Sequence, residues 1–228
     1  MIDLYFHGSP NSLKVALLLE ELGLSYNIHV VDILSGDQHT DEFRAINPNG
    51  KVPAMVDGDA VIFDSNAILL FLAEKHGRFM PWAPAERGAL YSWLMFVATG
   101  VGPYSGQAMH FTRYAPDPIP YARNRYVKEA ARHYEVLDQR LTDRRFMLGD
   151  DYTIVDMALW GWALFYERFD PSGLDRFPSV RRWFDTVNGR PAAGRALDLR
   201  SLKGKSLFDA DALRVLFPQN EFSEASKG

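Results

Sequence analysis

Over the first 76 residues the spacing of apolar and polar positions changes period several times. Ile2 to Phe6 alternates, with Leu4 and Phe6 on one face, which predicts a first strand. From about Asn11 to Leu22 the period becomes helical, and Gly23 stands where a C-cap is needed. Val15 to Leu19 is apolar almost all round, so this helix is expected to be buried. Tyr26 to Val31 has β-rich composition, and two strands joined by a helix predict a parallel βαβ unit. A short helical stretch, roughly Thr40 to Ile46, leads into the turn Pro48-Asn49-Gly50. Pro53–Val56 and Val61–Phe63, around Asp57-Gly58-Asp59, predict a hairpin. A helix then opens at Asp64 or Ser65, carries Lys75 and His76 in its last turn, and stops at Gly77.

Beyond Gly77 the pattern is helical throughout. Gly77 to Ala85 holds two prolines and reads as a linker. Glu86 to about Tyr114 places Leu90, Trp93, Leu94 and Val97 on one face. Thr99-Gly100-Val101-Gly102-Pro103 interrupts that helix and is expected to bend it or open a groove. Ile119 to about Leu141 is a second long amphipathic helix. Thr153, followed three residues later by Asp156, is a capping signature before the apolar run Met157 to Tyr166. Pro178 to Val187 and a short stretch after Pro191 complete the set. Ala210 to Phe217 is expected to fold back as a small helix before a polar tail from Gln219.

The candidate chemistry lies in the first 76 residues. Pro53 cannot donate to a ladder, so Val52 falls at a sheet edge or a strand's first position. The Val52-Pro53 bond is also a place where a cis peptide can occur. An edge residue exposing both its N–H and its C=O can pair with an extended peptide. The alternative is a plain loop with a trans proline. The helix opened by Asp64-Ser65 offers free N–H groups and a positive dipole end, which suit a carboxylate. Ser9 and Asn11 lie where the first strand gives way to the first helix. Hydroxyl or amide donors at a helix start favour a thiolate, although capping is the commoner role for such residues.

Lys51-Val52-Pro53 with Asp64-Ser65-Asn66-Ala67-Ile68 resembles the glutathione-site signature of the cytosolic glutathione transferases. With Ser9-Pro10-Asn11 added, the set is similar to the bacterial Nu-class branch, whose members act as glutathione-dependent disulfide reductases. The resemblance implies an α/β, thioredoxin-like N-terminal domain over residues 1–76, a linker at 77–85, an all-α domain over 86–218 and a tail at 219–228. It implies glutathione as bound co-substrate, a small disulfide or electrophile as second substrate, and a homodimer. The thiol would sit at Ser9 and Asn11. Lys51, Val52, Pro53, Asp64 and Ser65 would hold the tripeptide, with Gln38 near its glycine end and Arg132 reaching its carboxylate across the dimer interface. Each has a plainer alternative: a polar loop for Gln38, solvent for Lys51, and an exposed ion pair with Glu129 or Glu135 for Arg132. Tyr104, Gln107, His110 and Phe111 are candidates for lining the second-substrate cavity. Tyr5 sits inside its strand and takes no catalytic role. Conjugation of glutathione to electrophiles is the competing enzymatic reading, and a non-catalytic binding or dimerisation module is the competing class.

Composition narrows the chemistry further. The 228 residues suit one or two domains, and 47% apolar content suffices for a sizeable core. Twenty-five basic against 29 acidic residues give a net charge of −4, with no footprint for nucleic acid or an acidic membrane. The chain has no cysteine, so any thiol must come from a ligand. His39 has no partner at ligand spacing, and no metal site is expected. The N-terminus does not read as a secretory signal and no apolar run reaches bilayer length, so a soluble cytoplasmic protein is expected.

Overall fold

The structure, a computed structural model, describes residues 1–202, 204 and 210–218; the tail expected from Gln219 lies outside them. The N-terminal region runs β1 (Ile2–Phe6), α1 (Pro10–Leu22), β2 (Tyr26–Val30), α2 (Asp41–Ile46), β3 (Ala54–Asp57), β4 (Ala60–Phe63) and α3 (Ser65–His76). The strands form one sheet in the order β2-β1-β3-β4. β1 is parallel to β2 and antiparallel to β3, and β3 is antiparallel to β4. This is the thioredoxin-like arrangement.

Alternation along β1 divides the sheet's two faces. Leu4 and Phe6 join the main core with α1 and α3, whereas Tyr5 packs with Phe43 of α2, Val31 and Val52 on the other side. Tyr5 stacks on His29 and touches the Phe43 ring edge-on, a packing role inside the sheet. Gly23 and Gly77 end α1 and α3 in the left-handed conformation, as C-caps do.

The helical region comprises α4 (Pro84–Phe96), α5 (Gly102–Met109), α6 (Pro120–Leu141), α7 (Ile154–Ala163), α8 (Pro178–Asn188), α9 (Pro191–Asp198) and α10 (Ala210–Leu216). The expected break at Thr99–Pro103 is not a break. Val97–Val101 is a single π-helical turn, and Val97 and Gly102 on either side keep right-handed helical dihedrals. Gly100 there admits a close neighbour, since a Cβ would lie 2.6 Å from His133 Nε2 of α6. Packing against α6 thus overrides the breaker signal.

One hydrophobic core runs from the sheet through α1 and α3 into α7, α8 and α9. Gly161 of α7 is required where that helix crosses the start of α1: a Cβ would lie 2.3 Å from the Pro10 carbonyl oxygen. Arg190 pairs bidentately with Glu21, and Arg195 pairs with Glu20, tying α1 to the segment around α9. The helical region therefore fixes the position and orientation of α1. Among the described residues, no helix is long and apolar enough to cross a membrane.

Candidate functional site

The sheet register gathers three distant segments at one end of the N-terminal region. Tyr5 pairs with Ala54, and Ala54 pairs with Phe63. One end of the sheet therefore carries the exit of β1 into Ser9–Asn11, the entry of Lys51–Pro53 into β3, and the exit of β4 into Asp64–Ser65. With strands about 4.8 Å apart, β1 to β4 spans about 10 Å, the reach of three extended residues.

The turn before β3 is built by Asn47. Its Oδ1 accepts from the Asn49 N–H at 3.0 Å, its carbonyl accepts from the Gly50 N–H at 2.9 Å, and its Nδ2 donates to the Lys51 carbonyl. The Val52-Pro53 peptide is cis. Among the described residues, nothing hydrogen bonds to the Val52 N–H or C=O, so both are available to a ligand backbone.

Asp64 is the N-cap of α3, at φ 67°. Its Oδ1 accepts from the Asn66 N–H at 2.8 Å and the Ala67 N–H at 3.2 Å. The Ser65 N–H, the first of the helix, has no acceptor among the described residues. Beneath this turn lies a residue that the spacing arguments missed. Lys14 of α1 is 1% exposed and donates from Nζ to Asn66 Oδ1 at 2.9 Å. Burial pulls its ammonium down to about 7, against the opposing pull of the Asp64 charge. A lone lysine at the head of the all-round apolar run Val15–Leu19 was the signal that could have found it.

Ser9 caps α1. Its Oγ accepts from the Ser12 N–H at 3.4 Å and lies 3.2 Å from Ser12 Oγ. Pro10 follows and has no N–H. The Asn11 N–H and side-chain amide have no partner among the described residues. The start of α1 therefore presents a hydroxyl and uncommitted donors together with the positive end of its dipole.

Gln38 is not part of a mobile loop. It is buried in the 3-10 turn Asp37–His39, where its Nε2 donates to the Ile33 carbonyl at 3.0 Å and its Oε1 is buried without a partner among the described residues. Its backbone carbonyl packs on Gly50, which places it beside the Lys51 turn. Lys51 itself is exposed, and no carboxylate among the described residues pairs with it. Arg132 is not brought to this site within the chain. It makes a bidentate pair with Glu129, closest at 2.7 Å.

A cavity of about 460 Å³ opens between Ser9 and the helical region, walled by Met109, Trp162, Phe165, Arg168 and Arg200 among others. Tyr104, Gln107, His110 and Phe111 do not line it. Tyr104 stacks on His133 and Phe111 on Tyr126, both of α6, so that face of the helix is engaged elsewhere. Gly106 and Met109, one residue earlier than Gln107 and His110, face the cavity instead. The step is a helix phase of about 100° per residue, too fine to place from sequence across the π-helical turn Val97–Val101. α10 folds back as expected: Leu216 joins the cavity wall and the Val215 carbonyl meets His39 Nε2 at 3.0 Å. Among the described residues, no group of three or more His, Asp or Glu side chains could hold a metal ion.

A thioredoxin-like sheet with an open peptide edge, joined through a shared core to an all-α region, is the architecture of the glutathione transferases. Comparison with known proteins agrees. Residues 8–75 match the glutathione S-transferase N-terminal domain, and residues 114–191 match the glutathione S-transferase C-terminal domain. The chain is 43% identical over 206 residues to the disulfide-bond oxidoreductase YfcG of Escherichia coli, covering 86% of this chain and 94% of that protein. A Burkholderia graminis glutathione transferase, solved with two glutathione molecules bound per subunit, is 39% identical at a TM-score of 0.82, covering 86% and 87% of the two chains. A Pseudomonas putida glutathione transferase with one glutathione disulfide per subunit is 36% identical at the same TM-score, covering 87% and 91%. The chain belongs to the glutathione S-transferase family.

Proposed function

We propose that this protein is a glutathione-dependent disulfide-bond reductase. The observation that carries the reading is the set of unengaged groups at one sheet end: the Val52 N–H and C=O, the Ser65 N–H, and the Asn11 donors. An extended tripeptide satisfies them together. Its cysteinyl backbone pairs with Val52, and its γ-glutamyl carboxylate takes the Ser65 N–H and hydroxyl. Its ammonium meets Asp64, and its glycine end points toward Lys51 and Gln38. Its thiol then falls at the start of α1, where Ser9, Asn11 and the helix dipole favour the thiolate.

The chain has no sulfhydryl of its own, so the ligand's sulfur is the nucleophile. The thiolate attacks one sulfur of a disulfide, a new S–S bond forms, and the other sulfur leaves with the electron pair as a thiolate that takes a proton from solvent. A second glutathione thiolate attacks the mixed disulfide, releasing the second substrate thiol and leaving glutathione disulfide. The name of the Escherichia coli relative and the glutathione disulfide in the Pseudomonas putida structure favour this over conjugation to an electrophile. The working unit in this reading is a homodimer. Phe63 on β4 and Tyr91 and Met95 on α4 are exposed large apolar side chains that a second copy would cover.

Parallel turnover of a neutral model disulfide and an aryl halide, each with glutathione, tests the reading. Disulfide reduction should exceed conjugation. Ser9→Ala and Asn11→Ala should each lower kcat/KM by about tenfold at neutral pH and shift the pH profile to the alkaline side. Full activity in both variants would remove them from the thiolate site, and failure to bind immobilised glutathione would leave a scaffold.

A further inference from the structure

The cavity beside Ser9 contains two cations that the reduction step does not use. Arg168 ends the 3-10 turn Tyr166–Arg168 after α7, and Arg200 lies in the turn Leu199–Ser201 after α9. Their guanidinium carbons lie 4.7 and 4.8 Å from the centroid of the same ring, Phe165. Among the described residues, neither forms an ion pair, whereas Arg176, Arg190 and Arg195 all do. Among the described residues that line the cavity none is acidic, and the Asp32 carboxylate lies against Gly204 of its wall. Glu167, next in sequence to Arg168, packs on Gly173 instead. Burial and the like charge of Arg168 both pull the Arg200 guanidinium below its usual range.

Arg200 is also held at a fixed place relative to the thiol site. Its carbonyl oxygen would lie 2.7 Å from a Cβ at Gly8, so only glycine lets this turn press against the residue before Ser9. Arg168 is braced through its carbonyl, which accepts from Arg113 Nε at 2.8 Å. Two guanidinium groups on an aromatic wall, without an ion pair among the described residues and facing a partly enclosed cavity, are an arrangement suited to a carboxylate.

We propose that Arg168 and Arg200 form a carboxylate-binding subsite for the second substrate, so that the disulfides this protein reduces best carry an acid group on a short arm beside the sulfur. This rests on the reading of Ser9 as the thiolate site. With its carboxylate held by the pair, the acceptor presents its nearer sulfur to the glutathione thiolate. The new S–S bond forms there and the distal sulfur departs with the electron pair. The glutathione that resolves the mixed disulfide carries the same carboxylate chemistry, and the test separates the two sources.

The disulfides of 3-mercaptopropionate (two carboxylates) and 2-mercaptoethanol (neutral) are compared at saturating glutathione, for wild type, Arg168→Gln, Arg200→Gln and Arg200→Lys. Wild type should favour the acidic disulfide, and high salt should erode that preference. Each Gln variant should lower the acidic-to-neutral ratio of kcat/KM by about tenfold, and Arg200→Lys should restore part of it. A ratio that is the same in wild type and both Gln variants overturns the acceptor subsite. If the ratio holds while a separate glutathione titration with the neutral disulfide shows a raised KM for glutathione in the Gln variants, the pair serves the resolving glutathione and the acceptor preference is overturned. Thermal stabilisation of the protein by the acidic compound alone, lost in Arg200→Gln, gives a readout without turnover. Absence of turnover with both disulfides sinks the reductase reading; turnover of both with an unmoved ratio sinks only this inference.

Discussion

The helix starts of this protein fall into two kinds. At the start of α7 every early donor has an acceptor. The Ile154 N–H donates to the Phe79 carbonyl at 2.9 Å, the Val155 N–H to Thr153 Oγ1 at 3.3 Å, and the Asp156 and Met157 N–H groups to the Thr153 carbonyl. The Asp156 carboxylate in turn accepts from the Met147 and Thr153 N–H groups and from Trp183 Nε1, each at 2.9 Å, all within the core. At α1 and α3 the caps are also present, through Ser9 and Asp64, yet the Asn11 and Ser65 N–H groups remain without partners among the described residues. The donors at this folding cap are saturated, because an unsatisfied buried one costs about 1–3 kcal/mol. The donors that the proposed ligand would take are left without a partner among the described residues, although Ser65 is itself buried.

That contrast can be broken at the buried end first. Asp156→Ala strands four buried donors, the Thr153 hydroxyl among them, and chemical denaturation should show a loss of about 3–5 kcal/mol. The glutathione affinity of the molecules that stay folded should be near that of wild type. Should the two properties fall together, the division between folding caps and ligand caps does not hold.

Lys14 sharpens the comparison, because it is a buried charge under an open cap. Its folded pKa is depressed to about 7 from an ordinary value of 10.5, so the unfolded chain binds more protons between those limits. Stability should therefore rise with pH above about 7, by at most about 1.4 kcal/mol per unit from this group. Below about 7 the lysine is charged in both states and the burial penalty is fully present. Lys14→Met should flatten that part of the profile, measured as denaturation midpoints from pH 6 to 9; an unchanged slope would assign the dependence to other groups.

Ser65→Ala should leave stability within about 0.5 kcal/mol and weaken glutathione about tenfold by titration calorimetry, since its hydroxyl caps nothing. The smallest expected change is at Arg132, whose exposed pair with Glu129 contributes at most about 1 kcal/mol. Arg132→Ala should thus barely move the melting temperature. A rise in the glutathione KM would place the side chain at a partner subunit's ligand, and an unchanged KM would remove it from the site.

Much of this was legible along the chain because it is encoded locally. The alternation of Ile2 to Phe6, the apolar helix ended by Gly23, the hairpin around Gly58 and the Thr153–Asp156 cap each act within a few residues, and each element formed where its period predicted. The residues at 9, 11, 52, 64 and 65 could be singled out for a related reason, since strand ends and helix starts have short-range signatures, and the family resemblance drew them into one proposed site. Gln38 shows the limit, since its polar neighbourhood reads as loop while its burial comes from the packing of Ile33 and Gly50 around it.

What the sequence determined by itself was the order of elements and which of their ends carry the polar motif residues, because periodicity and capping are decided by neighbours in the chain. Only the tertiary structure decided that Lys14 lies under Asn66, 52 residues away, that Gly161 and Gly8 let the helical region press on both sides of Ser9, and that Arg168 and Arg200 share one ring. Such contacts depend on helix phase and on how two regions with a common core dock. Those follow from the packing of the whole interior, which no local stretch specifies.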